Sequence, residues 1–200
     1  MAGNFYKSLD DLRAIVSDDI PEGVTLEYKG SSVLLDRNIS TICKTVTALA
    51  NSVGGNFIIG IESKAGKPIR LDGGIPGLSR RDWIHKIINS HTFPALESVE
   101  VFEIHDATGS YYVISTPVSI HAPHQSNDLR HYKRRGSHSE PMEHYEIEDV
   151  RSRPKQLLAP LRIALFTQDQ LAFLHFRNES ASDSIKTTNR EGPKGSRRKN

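Results

Sequence analysis

The residues with the most chemical potential for their spacing are three glutamates and a lysine: Glu22, Glu27 and Lys29 within PEGVTLEYKG, and Glu62 at the end of NFIIGIE. As a strand, residues 24–29 set Val24, Leu26 and Tyr28 on one face and Thr25, Glu27 and Lys29 on the other, with Glu27 and Lys29 about 7 Å apart. Glu62 falls on the face of the 56–62 run opposite Phe57, Ile59 and Ile61. If the two strands are neighbours, three carboxylates and an ammonium converge at one end of a sheet. Clustered carboxylates bind hard cations such as Mg²⁺ or Mn²⁺, which polarise a phosphodiester, and a lysine stabilises the charge that develops. The competing reading is a solvated sheet edge, and pattern alone favours it.

Other motifs carry less. GIESKAGKP is not a phosphate loop, because one residue too many separates Gly60 from Gly66 and Pro68 stands where Ser or Thr is required. His121 and His124 in HAPH lack an evident third ligand, so solvent-facing loop histidines are the expectation rather than a zinc site. The single cysteine, Cys43, excludes an internal disulfide and lies on the apolar stripe of a predicted helix, as a small core residue would.

Charge is distributed unevenly. The 200 residues have a net charge of only +2, yet six basic residues stand against one acidic between Lys186 and Asn200, so the remainder is mildly acidic. Within that remainder positive charge is densest in RHYKRR, where Arg130, Lys133, Arg134 and Arg135 form a patch able to hold phosphates. A solvated charged loop is the competing account. A hydrophobic fraction of 36%, no apolar run of membrane-spanning length and a charged N-terminal stretch lead to the expectation of a cytoplasmic protein.

The elements that must position these groups follow from periodicity. Ser8 caps a predicted helix over 8–18 with Leu9, Leu12, Ile15 and Val16 on one face. A second helix carries Ile39, Ile42, Cys43, Val46, Leu49 and Ala50, stops at Asn51 and turns through Gly54-Gly55 into a buried strand over 56–62. Residues 65–77 read as turn and loop, Ser79 as the cap of a helix bearing Trp83, Ile84, Ile87 and Ile88, and 99–117 as a hairpin turning at DATG. From 121 to 153 the chain is polar, with short extended pieces at best. The fold class is α/β in the broad sense, α+β in detail: a mixed sheet with flanking helices over 8–153. A short β-hairpin segment is expected over 157–178, in the manner of a truncated second domain, and a disordered basic tail over 179–200.

Taken together, LEYKG, KTVTALANSVGGNFIIGIES, STPVSIHAPH and HYKRRGSHSEPMEHYEI resemble the Schlafen AlbA_2 family, also called divergent AAA-4, over roughly residues 10–150. The resemblance implies a metal-dependent endoribonuclease acting on structured RNA such as tRNA. Glu22 and Glu27 match the family's pair of acids in E-x-x-x-x-E-x-K, Lys29 its lysine and Glu62 its third acid, where Asp is usual. It also implies Mg²⁺ or Mn²⁺ held by Glu22, Glu27 and Glu62, a homodimer completing a two-lobed clamp, and Arg130, Lys133, Arg134 and Arg135 on the phosphates of the groove. Tyr132 would stack on a base or, more in keeping with its type, pack into the core. The alternatives are a non-catalytic DNA- or RNA-binding or regulatory module and, more weakly, a nucleotide-binding protein.

Overall fold

In the computed structural model, which describes residues 6–153, a four-stranded sheet is covered by helices on both faces. The elements run α1 Leu9–Ser17, β1 Leu26–Lys29, α2 Ser32–Leu35, α3 Ile39–Asn51, β2 Gly55–Ile59, β3 Ile61–Lys64, β4 Lys67–Leu71, α4 Arg81–His91, β5 Glu100–His105, β6 Ser110–Thr116, β7 Tyr132–Arg135 and β8 His138–Pro141. A further helical segment, α5, occupies 144–153. The sheet order is β1-β2-β6-β5, with β1 parallel to β2 and the remaining pairs antiparallel, so the α+β expectation holds. The expected segments over 157–178 and 179–200 lie outside the described residues.

The helices form where capping and periodicity agree. Ser8 and Asp11 make a reciprocal capping box at the start of α1, and Asn38 accepts from the Thr41 amide at 3.0 Å to open α3. Ile42, Val46, Leu49 and Ala50 of α3 and Ile84 and Ile88 of α4 pack on Phe57, Ile59, Tyr112 and Ile114. On the opposite face Leu12 and Ile15 of α1 meet Leu26, Tyr28, Ile58 and Val113. Cys43 is buried on α3, as its stripe position requires.

The glycines explain two departures from the pattern. The run 56–62 is not one strand: Gly60, at φ +119°, breaks it, and a Cβ there would stand 2.2 Å from the Tyr111 ring. Beyond this bend the alternation shifts, so Ile61 joins the α1 side while Phe57 and Ile59 stay on the α3 side. Glu62 therefore leaves the main sheet for a separate β3–β4 hairpin, whose turn at Ala65-Gly66 has φ of +53° and +74°. The expected loop over 65–77 thus contains strand β4. Gly55 is required by the close approach of β1 and β2, since a Cβ would lie 2.3 Å from the Thr25 carbonyl oxygen.

The ribbon β7–β8 lies against α3. Asn51, fully buried at the end of α3, holds it: Nδ2 donates to the carbonyls of His124 and Tyr132, both at 2.9 Å, and Oδ1 accepts from the His124 amide at 2.6 Å. Contrary to the expectation of a solvent-facing side chain, His124 is buried, its ring nitrogens 2.6 Å from the Pro94 carbonyl and 2.7 Å from the Ser119 hydroxyl, while His121 is exposed. Burial holds the His124 pKa below its ordinary value.

Asn51→Ala leaves three backbone groups without their partner and is expected to cost roughly 3 kcal/mol or more in urea unfolding. Because His124 titrates lower in the folded than in the unfolded state, its contribution is complete above about pH 6.5 and declines as pH falls through the folded value. A His124→Gln variant is expected to show a flatter decline in melting temperature below pH 6.5 than the parent.

Candidate functional site

Strand β1 places Leu26 and Tyr28 on the α1 side of the sheet and Glu27 and Lys29 on the α3 side, in register with Phe57 and Ile59. The strand is shorter than the pattern predicts, and Val24 is exposed before it begins. Helix α3 covers Phe57 and Ile59, and the inward side of β7 reaches Glu27. The polar face of PEGVTLEYKG is therefore not a solvated edge, because the side chains of Glu22 and Glu27 are each only 7% exposed.

Two carboxylates in so dry a place need compensation, and two cations provide it. Arg134 Nη1 donates to Glu27 Oε2 at 2.6 Å, and the Arg134 side chain has no exposed surface. Nη1 also donates to the Ser139 hydroxyl at 3.1 Å and Nη2 to the Gly23 carbonyl at 2.7 Å, while Ser52 Oγ accepts from the Arg134 amide at 2.8 Å. Lys29 Nζ bridges the acids, donating to Glu27 Oε1 and standing 3.4 Å from Glu22 Oε1. Glu22 Oε1 also accepts from the Tyr28 amide at 3.2 Å. Burial, and next the Glu22 charge, push the Tyr28 phenol up to about 12, so it stays neutral and donates to the carbonyls of Ile20 and Gly66.

Glu62 stands apart from this group. Arg70, opposite it in the β3–β4 hairpin, clasps both its oxygens at 2.9 Å, and this hydrogen bonding lowers the Glu62 pKa. The structure thus unites Glu22, Glu27 and Lys29 and leaves Glu62 with its own cation. Arg134, expected on groove phosphates, is instead buried against Glu27. Tyr132 is also buried, its hydroxyl donating to Asp128 at 2.6 Å and its ring lying 5.1 Å from Lys44 Nζ, which is core packing rather than base stacking.

These placements decide how well a divalent cation fits. Both oxygens of Glu27 face cations, Glu22 shares one of them, and Glu62 is held elsewhere. Among the described residues no three His, Cys, Asp or Glu side chains gather as a metal-holding group. The carboxylates as placed do not fit a Mg²⁺ or Mn²⁺ centre.

Of the basic residues, Arg130 and Arg135 are exposed, and Lys133 is largely covered where it pairs with Glu146. Arg135 pairs with Glu140 at 3.1 Å, in a bridge whose arginine side chain is 69% exposed. Sequence reasoning missed Asn51, Ser52 and Arg70. Asn51 and Ser52 lie within ALANSVGG, where a polar pair ending an apolar helix signals that something else is held there.

The profile of the Schlafen AlbA_2 family matches residues 22–143, more than half of the chain. The protein belongs to this family. The crystal structure of the DIP2311 protein from Corynebacterium diphtheriae is similar, with a TM-score of 0.51 and 17% identity over 70% of this chain. The match spans only 27% of that longer protein. The solution structure of the N-terminal domain of a RecG-related protein from Nitrosomonas europaea aligns with a TM-score of 0.42 and 22% identity over 68% of this chain and 93% of that one. No curated protein matches the chain. Among the described residues no helix is long and apolar enough to cross a membrane.

Removing one member of the buried pair strands the other. Glu27→Ala is expected to destabilise the domain by about 3–5 kcal/mol, and Glu27→Leu combined with Arg134→Met to recover most of that loss. Glu62→Ala, at an exposed pair, is expected to leave the unfolding midpoint in place. Urea titrations of the three variants and the parent check all three expectations.

Proposed function

We propose that this domain binds the phosphate backbone of a nucleic acid, structured RNA being the expected form, through the outward cations around β7, and that Glu22 and Glu27 serve its architecture. The observation that supports this most directly is the alternation in RHYKRR. Tyr132 and Arg134 point inward and are buried, whereas Arg130 and Arg135 are exposed and Lys133 lies between these extremes. A ribbon held by Asn51 and Ser52 presents those outward groups on a fixed frame. The Arg135–Glu140 pair is weak enough to exchange its carboxylate for a phosphate. Such contacts position a duplex without reading its sequence, which suits A-form RNA.

A second reading, a Mg²⁺- or Mn²⁺-dependent endoribonuclease, has one observation in its favour: Glu22 and Glu27 do converge on Lys29, the half-exposed member of the cluster. It also requires both Arg134 and Arg70 to give up their carboxylates, and it brings Glu62 in from a separate hairpin. The binding reading requires no such rearrangement.

Fluorescence anisotropy with labelled tRNA between about 50 and 200 mM salt tests the proposal. Affinity is expected to fall steeply with salt, and Arg130→Gln/Arg135→Gln to weaken binding and reduce the log–log slope by about two. An unchanged slope in the double variant would remove these residues from the interface.

A further inference from the structure

A cleft of about 350 Å³ opens beside the buried ion pair, between the end of α3, β7 and α5. Its volume is at the lower end of the range for small-ligand sites, and its lining is mixed. Val24, Val53 and Met142 supply apolar surface, and the first two are 39% and 61% exposed. Arg153 and Lys133, the latter paired with Glu146, supply donors, and Asp149 and Glu146 supply acceptors. Arg153 uses Nη1 on the carbonyls of Asn51 and Ser52 at 2.9 and 3.4 Å; its other guanidinium nitrogens make no hydrogen bond within the described residues. The Asp149 carboxylate likewise makes no ion pair among them. Arg134 also lines the cleft, and its Nε is a buried nitrogen without a hydrogen-bond partner among the described residues.

Apolar surface beside both donors and acceptors does not suit a bare phosphate, which has no apolar face to cover it, nor an apolar peptide side chain, which has no polar edge to meet it. It does suit a nucleobase, which has a flat apolar face and an edge bearing both N–H groups and acceptors. The ribose-phosphate of the same nucleotide then meets a cation. Lys133 belongs both to the cleft lining and to the ribbon already assigned to the phosphate backbone, so the two surfaces are continuous.

We infer that the cleft accepts one unpaired nucleotide of the RNA held by the β7–β8 ribbon, its base against Val24, Val53 and Met142 and its phosphate toward Lys133 and Arg153. The inference rests on the nucleic-acid reading above and adds to it a preference for RNA with a nucleotide outside the helix.

The test compares a labelled hairpin RNA with a flush end against the same hairpin carrying one unpaired 3′ nucleotide, using the full chain. The unpaired nucleotide is expected to tighten binding about tenfold, in keeping with one well-packed base. Val53→Ser/Met142→Ser, which leaves the net charge unchanged and alters residues outside the core, is expected to abolish that preference and keep the affinity for the flush hairpin. Equal affinity of the parent for both RNAs, or a preference that survives in the variant, would overturn the inference while leaving backbone binding intact. Failure to bind either RNA would overturn the nucleic-acid proposal itself.

Discussion

The arrangement around β1 depends on one ion pair, Glu27 with Arg134, closed at 2.6 Å with no exposed surface on the arginine side chain. Burying either charge alone is prohibitively unfavourable, so the two residues must enter the interior together. That requirement draws β7 against the C-terminal end of α3, where Ser52 and Asn51 hold its backbone. Once Arg134 faces inward, strand alternation decides the rest: Tyr132 is buried with it, and Lys133 and Arg135 turn the other way. The same pair shapes the chemistry of the acids. With Lys29 bridging Glu22 and Glu27, two carboxylates and two cations form an electrically balanced group rather than a reservoir of negative charge.

Much of the fold was legible because local signals agreed with the final packing. The capping box at Ser8, the apolar stripe from Ile39 to Ala50 and the hairpin turning at DATG each specify an element without reference to the rest of the chain. Sequence and structure part where a distant contact decides the outcome. Gly60 looks like one more small residue in an apolar run until the Tyr111 ring is placed against it. Ala65-Gly66 lacks the usual asparagine or aspartate of a tight hairpin, so nothing local marks β4 as a strand. Helix α5 is hidden by a charged, aromatic composition with only a weak apolar stripe.

The site was legible by residue type but not by partner. Spacing identified Glu22, Glu27 and Lys29 as a group, and the structure brings them together. No local pattern tells which of the four cations in RHYKRR turns inward, because Arg134 finds its acid 107 positions away. The place of Glu62 is hidden for a related reason: alternation carried through Gly60 sets it on the wrong face, and its partner Arg70 lies in a segment with no local strand signal. In both cases the missing information was an ion pair between elements distant in sequence or unrecognised in it.

The central claim is that the acids stabilise an RNA-binding frame rather than cut the RNA. The most direct measurement incubates the protein with total tRNA in the presence and absence of Mn²⁺, beside a Glu27→Gln variant shown to be folded, and follows both binding and strand integrity. The account predicts that tRNA is bound and recovered intact, with or without the metal. Mn²⁺-dependent cleavage that disappears in Glu27→Gln would contradict it and make Glu22, Glu27 and Lys29 the heart of a nuclease.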